Sequence, residues 1–153
     1  MKSFYFLLPG FNLRPTEVQG ALGVLQLKKL SNFIDQRRKN ASLMKELISC
    51  FDKITLQAEF GRSSYIGFGF VLDEACRRDE MASFLDSEGV QVRPVVSGSI
   101  AMHPLAKFMS CSNNYDAADS IHRRGFFVGN HHVDFSEKIT KLSFIMHDYL
   151  AKI

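Results

Sequence analysis

The sequence predicts an α+β fold, in which a small, mostly antiparallel sheet of about three strands is packed by helices and preceded by a long or kinked N-terminal helix. Apolar residues recur at three- and four-residue steps from Val18 to Ile48, as on the buried face of a helix. Short apolar segments with strand character follow, the clearest over residues 65–72. Few strands and several helices in this order are typical of helices that lie mainly on one face of a sheet.

The N-terminal helix is predicted to begin after Pro15. A proline restricts the residue before it to extended conformations, so Arg14 is not expected to be helical. Thr16 can cap the helix, and Gln19 stands three residues later as the second partner of a capping box.

The apolar pattern then continues for too long to be one ordinary helix, because globular helices typically run for up to about 20 residues. Ser31 can cap a second helix. We therefore expect a break or kink near Leu30.

The clearest strand lies over residues 65–72. Alternate apolar residues from Ile66 to Leu72 share one face, and Gly67 and Gly69 lie on the other. Glycines inside a strand allow a neighbour to pack very closely, and we expect that neighbour to be a helix. Shorter strands are predicted at residues 54–56 and 126–128.

The remaining segments are assigned in the same way. Residues 78–88 fit a helix, and residues 90–96 fit a strand whose Pro94 belongs on a sheet edge. Residues 97–112 lack periodicity and are expected to form a loop with a turn at His103–Pro104. The last two helices are predicted over residues 116–124 and 135–150.

The composition suits one globular domain. Of the 153 residues, 46% are hydrophobic and 23% are charged, which argues against long disorder. The net charge is only +3 and no nucleic-acid-binding motif accompanies the basic residues, so no nucleic-acid partner is expected. No segment is predicted to span a membrane. The widely spaced Cys50, Cys76 and Cys111 are expected to be reduced thiols of a cytoplasmic protein.

Residues 4–8 form an apolar run that is too short for the core of an export signal. We interpret the run as a strand, and its continuous apolarity implies cover on both faces. This cover would have to come from a partner domain or a second subunit outside the given chain.

Asn12 and Arg14 are the main candidate binding residues. They alternate with Phe11 and Leu13 in an extended arm, so both polar side chains leave the same side of it. A carboxamide and a guanidinium on one edge can bind an anionic group such as phosphate. The alternative is a turn asparagine beside a solvated arginine.

The other candidates carry less specific signals. His131 and His132 are adjacent, so in an extended strand their rings would point to opposite faces and would not share a metal ion. Arg93 precedes Pro94 and either meets a substrate anion or forms a structural ion pair. No metal site is expected, and no residue of this chain is predicted to be catalytic.

Residues 10–30 resemble the stretch through which the DegT/DnrJ/EryC1/StrS family passes from its large domain into its small C-terminal one. This family comprises sugar aminotransferases and dehydratases of the fold-type I pyridoxal-phosphate (PLP) superfamily. Residues 64–70 and 84–94 look like the first strand and the helix–strand unit of that small domain. Residues 98–104 and 125–132 are similar to the branch that contains sugar 3-dehydratases, although Ser99 replaces the asparagine usual in this loop.

The resemblance implies a PLP-dependent sugar-nucleotide aminotransferase or 3-dehydratase of deoxysugar or polysaccharide biosynthesis. Such enzymes are dimers with shared active sites, and PLP acts in them as an electron sink. The residue matching Asn12 reaches the cofactor phosphate of the other subunit. We expect Arg14, Arg93, Ser99 and His131 on the substrate side.

In that arrangement residues 1–15 are an arm to a large domain that the chain lacks, and residues 16–153 are the small domain. The cofactor lysine, or the histidine that replaces it in dehydratases, belongs to the large domain. We expect no PLP on this chain alone, because Lys2 near a terminus has no pocket around it. The chain is then a truncated gene product, a genomic fragment or part of a split enzyme. The alternative is a stand-alone binding or oligomerisation module that keeps the fold without the chemistry.

Overall fold

The computed structural model describes residue 10 and residues 16–110 and 114–152, and this part contains five α-helices and four strands. The helices are α1 Glu17–Leu27, α2 Leu30–Ile48, α3 Arg78–Ser87, α4 Asp116–Arg124 and α5 Ser136–Leu150. The strands are β1 Ile54–Leu56, β2 Gly67–Leu72, β3 Val92–Pro94 and β4 Gly125–Gly129. None of the helices in these ranges is long and apolar enough to cross a bilayer.

The predicted capping box starts α1. The Thr16 hydroxyl accepts from the Gln19 backbone N–H at 3.3 Å, and the Gln19 side-chain oxygen accepts from the Thr16 N–H at 2.9 Å. The predicted break is also confirmed, because α1 and α2 are separate helices on either side of Lys28 and Lys29. The predicted cap is wrong: Ser31 lies inside α2, which has no side-chain cap.

The sheet has the strand order β1-β2-β4-β3, and all three pairings are antiparallel. The short strand predicted at residues 54–56 is confirmed as β1, which pairs with the edge of β2 and makes four strands where about three were expected. β3 lies on the other edge, so the prediction for Pro94 is confirmed. A proline is tolerated there because one side of an edge strand needs no ladder hydrogen bond.

One face of the sheet carries the core. Phe68 and Phe70 of β2 and Phe126 of β4 are at most 2% exposed, and the Phe70 and Phe126 ring centroids are 5.3 Å apart. α2, α3 and α5 supply fully buried side chains to the same core, which confirms the predicted α+β arrangement. The fully buried helical members are Met44, Met81, Leu85 and Met146.

The two glycines of β2 accommodate close contacts, but no helix makes them. A Cβ on Gly67 would lie 2.8 Å from the Val128 carbonyl oxygen and 3.0 Å from the Phe127 ring. A Cβ on Gly69 would lie 2.9 Å from the Gln57 side-chain oxygen. The expectation of a closely packed helix is therefore wrong, because a neighbouring strand and one glutamine side chain occupy this space.

The segment predicted as a loop over residues 97–112 contains two short 3₁₀ helices, Ile100–Met102 and Pro104–Phe108. The strand predicted at residues 4–8 lies outside the described residues. So does Cys111, whereas Cys50 is exposed and Cys76 is buried, both as free thiols.

Candidate functional site

The predicted site residues fall into three places. Asn12 and Arg14 lie outside the described residues, so their roles stay predictions. Arg93 is exposed on the edge strand β3, and its guanidinium makes no hydrogen bond or ion pair to any described residue. Ser99 lies in the loop after β3, and His131 lies in the segment after β4.

Ser99 belongs to a tightly held loop and is only 2% exposed. Its backbone N–H donates to Nδ1 of His122 on α4 at 3.3 Å. Gly98 has a φ of 61°, and a Cβ there would collide with the His122 imidazole. Only glycine adopts this backbone conformation without strain, and only glycine leaves room for the ring.

Other contacts brace the same loop. Nε2 of His103 is 2.7 Å from the Ser97 carbonyl oxygen, so this nitrogen carries the proton and donates. The His103 and His122 ring centroids are 5.8 Å apart in an edge-on arrangement. The Arg78 guanidinium donates to the His122 carbonyl oxygen from α3. His122 therefore serves as an acceptor that positions the loop.

The segment after β4 is tied to α2 by two buried asparagines. Asn40 is 3% exposed and Asn130 is 6% exposed. The Asn40 side-chain nitrogen lies 3.0 Å from Oδ1 of Asn130 and 2.9 Å from the Val133 carbonyl oxygen, and it donates to the His131 carbonyl oxygen at 3.1 Å. The Asn130 side chain in turn donates to the carbonyl oxygens of Arg37 and Tyr65, at 3.0 and 2.9 Å. The buried asparagines thus hold the backbone at His131 and Val133, on either side of His132.

The rings of His131 and His132 lie together, which corrects the prediction that they point to opposite faces. Their centroids are 4.1 Å apart, because the chain bends at residues 132 and 133 and does not continue as a strand. His132 packs on Phe33 of α2 at 3.9 Å, and His131 is exposed and lies 5.9 Å from Phe135. Within the ranges that the structure describes, no three His, Cys, Asp or Glu side chains gather as a metal site.

The charge around this pair is positive. Burial lowers the pKa of His132, and the nearby charges of His131, Arg37 and Lys29 lower it further. The Nε of Arg37 is buried and has no hydrogen-bond partner among the residues that the structure describes. Neither Lys29 nor Arg37 takes part in an ion pair of the described chain.

The sheet keeps Ser99 and His131 apart. Ser99 contacts α4, which leads directly into Gly125 at the start of β4, whereas His131 follows Gly129 at its end. At about 3.3 Å per residue, β4 separates these two ends by about 13 Å. Arg93 pairs with Phe127 between them. Ser99, Arg93 and His131 are therefore spread along the length of β4.

A groove of about 550 Å³ lies between α5 and the turn from α3 to β3. None of Arg93, Ser99 or His131 lines it. Core residues form the floor of the groove, and two lysines of α5 also line it. The lining includes Met44, Phe68, Val128, Lys138 and Lys141.

No described lysine is placed to form a Schiff base with PLP. A covalent PLP site needs a lysine amine inside a shaped pocket. Lys53 is half-buried, and its amine donates to the Leu150 carbonyl oxygen at 3.3 Å. The other described lysines are exposed. A cofactor site would need groups beyond these residues.

Comparison with known proteins identifies the family. The sequence pattern of the DegT/DnrJ/EryC1/StrS aminotransferase family matches residues 1–141. The chain belongs to this family. It is 42% identical over 146 residues to a GDP-4-keto-6-deoxy-D-mannose 3-dehydratase of Yersinia pseudotuberculosis, which covers 92% of this chain and 37% of that protein. The enzyme of the same name from Escherichia coli O55:H7 is 37% identical over 157 residues, covering 99% of this chain and 38% of the relative.

Solved structures agree with the fold. The E. coli GDP-4-keto-6-deoxy-D-mannose 3-dehydratase with bound hydrated PLP superposes with a TM-score of 0.78 and 35% identity, over 94% of this chain and 38% of that one. An aminotransferase of pseudoaminic acid biosynthesis from Helicobacter pylori superposes with a TM-score of 0.80 over 94% of this chain and 40% of its own. Its 17% identity makes it evidence of fold alone. The chain spans about two fifths of these proteins.

The sequence did not identify Asn40 and His122, which hold the segment after β4 and the loop at Gly98. Asn40 is a polar residue beside the buried Ala41 and Met44 of α2, and this placement is a signal of a buried polar contact. Its partner, however, is 90 positions away. His122 gives no comparable signal, because nothing in the sequence aligns α4 with the loop at Gly98.

Proposed function

We propose that this chain is the C-terminal part of a PLP-dependent sugar-nucleotide 3-dehydratase of deoxysugar biosynthesis. The observation that carries the proposal is its 42% and 37% identity to two GDP-4-keto-6-deoxy-D-mannose 3-dehydratases over at least 92% of its length. The solved structures of two aminotransferases share only 17% and 20% identity with this chain, so they are evidence for the fold and not for transamination. Residues 16–153 would be the small domain, and residues 1–15 the arm that joins it to a large domain.

The surface of α1 supports a missing partner domain. Val18, Leu22 and Leu25 are spaced to form one helical row and are 69%, 56% and 54% exposed. No residue of α1 is buried. Contiguous exposed apolar surface marks a protein contact in soluble proteins. The relatives are more than twice the length of this chain, so a large domain is the occupant that fits.

The roles divide between the two parts. PLP, when bound, supplies an electron sink to the substrate, and the large domain would hold it. Asn12 would contact the cofactor phosphate across a dimer, and Arg14, Arg93 and His131 would face the sugar nucleotide. Ser99 is buried, so in this conformation it would act by setting the loop at Gly98. The intact enzyme would work in the cytoplasm as a homodimer.

Reconstitution tests the proposal. The chain is combined with the part of the Y. pseudotuberculosis relative that it does not cover, and PLP absorbance after gel filtration and 3-dehydration of GDP-4-keto-6-deoxy-D-mannose are measured. We expect the isolated chain to stay colourless and the reconstituted pair to retain PLP and turn over. Asn12→Ala should lower PLP retention about tenfold, since it removes a hydrogen bond to a charged phosphate.

A matched pair of variants separates docking from chemistry. Val18→Asp places a charge on the exposed row of α1 and should prevent assembly. Val133→Asp places the same charge on another exposed valine, which is 46% exposed, and should leave assembly intact. A reconstituted pair with PLP but no dehydration would contradict the activity. A chain that never binds the large domain would favour the stand-alone module.

A further inference from the structure

A basic cluster lies where α2 meets the segment after β4. It consists of Lys29, Arg37, His131 and His132. The two imidazoles lie side by side, with centroids 4.1 Å apart, and His132 also packs on Phe33 at 3.9 Å. Lys29 and Arg37 lie four residues before and after Phe33, on the same side of α2, and their charges act on His132. Two different elements therefore present four basic side chains at one place.

This positive charge has no counter-ion among the described residues. The ion pairs there involve Arg77, Arg78, Arg124 and Lys152, none of which belongs to the basic cluster. The carboxylate of Asp134 accepts from the Ser136 N–H at 2.9 Å, and its pKa is lowered mainly by this contact, with Lys39 as a minor cause. Asp35 on α2 is exposed and forms no ion pair. The nearby acidic side chains therefore form no ion pair that would neutralise the positive charge of the basic cluster.

The guanidinium of Arg37 has no acceptor among the described residues. Its Nε is also shielded from solvent. A buried N–H without an acceptor is costly, and native proteins rarely leave one. Arg38, the next residue, shows the contrast, because its Nε and Nη2 donate to the carbonyl oxygens of Ser63 and Arg62 at 3.0 and 2.8 Å.

The backbone under the cluster is already in place. Asn40 holds the carbonyl oxygens of His131 and Val133, and Asn130 holds the carbonyl oxygen of Arg37 itself. Both ends of the cluster are therefore positioned by the same buried pair of amides. A preorganised site has less entropy to lose on binding.

We propose that Lys29, Arg37 and the His131–His132 pair form a binding site for a phosphate group, with Arg37 as its principal donor. A guanidinium beside imidazole donors matches a small anion that has several acceptor oxygens. The phosphate would come from inorganic phosphate or from a nucleotide diphosphate. The inference rests on this geometry and does not depend on the proposed function.

Protonation of His132 provides a readout. Burial and the charges of His131, Arg37 and Lys29 lower its pKa, so the neutral ring is favoured in the folded chain. A bound dianion favours the imidazolium and raises the pKa of His132. By linkage, an anion must then bind more tightly as pH falls through the titration of His132. Sulfate is the suitable probe here, because its charge does not change in this range.

The experiment is an NMR titration of the 153-residue chain with labelled histidine and arginine side chains, at constant ionic strength set with chloride. Inorganic phosphate should produce saturable shifts of the His131, His132 and Arg37 signals, and sulfate should raise the pKa of His132. Arg37→Gln should weaken phosphate binding at least about tenfold, the usual loss for a charge-assisted hydrogen bond. Arg123→Gln is the matched control, because Arg123 is exposed on α4 and makes no ion pair with the described residues.

Three results would each overturn the site. The first is an equal response of the NMR signals to phosphate and to chloride, and the second is an unchanged pKa of His132 in sulfate. The third is an equal loss of phosphate affinity in Arg37→Gln and Arg123→Gln. Guanosine diphosphate is run in parallel: tighter binding than phosphate identifies a nucleotide source, and equal or weaker binding identifies free phosphate. If Arg37→Gln does not fold, judged by circular dichroism, His131→Gln replaces it. Because His131 is exposed, this variant should fold and weaken binding about threefold, as for a weaker neutral hydrogen bond.

Discussion

α1 and α5 carry the same kind of sequence pattern and have opposite surroundings. α5 buries Ile139, Leu142 and Met146 against the sheet and α2. α1 has an apolar row of comparable residues and buries none of them. Periodicity therefore defines the apolar face of a helix, but the partner of that face depends on the rest of the assembly.

Along α2, exposed side chains at the start give way to buried ones in the second half. Leu30 at its start is 45% exposed, whereas Ala41, Met44 and Ile48 in its second half are at most 3% exposed. Asn40 stands at this change and ties α2 to the segment after β4. The part of the chain that the structure describes therefore divides into an N-terminal helix that buries no side chain and a packed body that follows it.

The largest expected difference is between two identical substitutions. Leu142→Ala in α5 removes a side chain that is 6% exposed, and Leu22→Ala in α1 removes one that is 56% exposed. The first should lower the free energy of unfolding by about 3 kcal/mol, because it leaves a cavity in the core. The second should change it by less than about 0.5 kcal/mol. Urea unfolding of the isolated chain measures both, and equal effects would show that α1 packs on the body.

The second prediction tests the position in α2 at which buried contacts begin. Asn40→Ala removes a side-chain amide whose nitrogen contacts Oδ1 of Asn130 and the carbonyl oxygens of His131 and Val133. These acceptors are then left without their donor. We expect a loss of about 2 kcal/mol in the free energy of unfolding. The matched control is Asn114→Ala, which removes one exposed bond to the Asp116 N–H and should cost less than about 1 kcal/mol. Similar losses would mean that the buried network adds nothing to stability.

The smallest effect is local to α1. Thr16→Ala removes the side-chain acceptor of the capping box and should destabilise this helix by about 1 kcal/mol. Because α1 does not pack on the core, amide exchange over residues 17–27 should accelerate while the urea midpoint of the body stays constant. Thr140→Ala in α5 is the control and should leave exchange in α1 unchanged. A lower urea midpoint for Thr16→Ala would contradict the separation of α1 from the body.

Local chemistry made much of the fold predictable. The capping box at Thr16, the break before α2 and the edge position of Pro94 each depend on residues within a few positions of one another. The prediction for Ser31 failed because α2 begins two residues earlier, where the Phe33 N–H donates to the carbonyl oxygen of the N-cap Lys29. The contacts of Gly67 and Gly69 needed the strand register, which the spacing of glycines does not contain.

The candidate site was less predictable, because its contacts are long-range. The sequence singles out His131 and His132, and an extended geometry separates their rings. The bend held by Asn40 and Asn130 brings those rings together beside Arg37. Likewise, Ser99 is recognisable as a departure from the family pattern, but its contact with His122 depends on how α4 docks.

The sequence by itself determined the helices, the strands, the edge of the sheet and the family, because these follow from short-range periodicity, capping and a shared pattern over residues 1–141. Only the tertiary structure decided which polar groups are buried together and which apolar face is left without a partner. The physical reason is that a hydrogen bond across 90 residues, or an exposed row on α1, depends on the relative positions of whole elements. Those positions are fixed by the packing of the core, which no local stretch of sequence specifies.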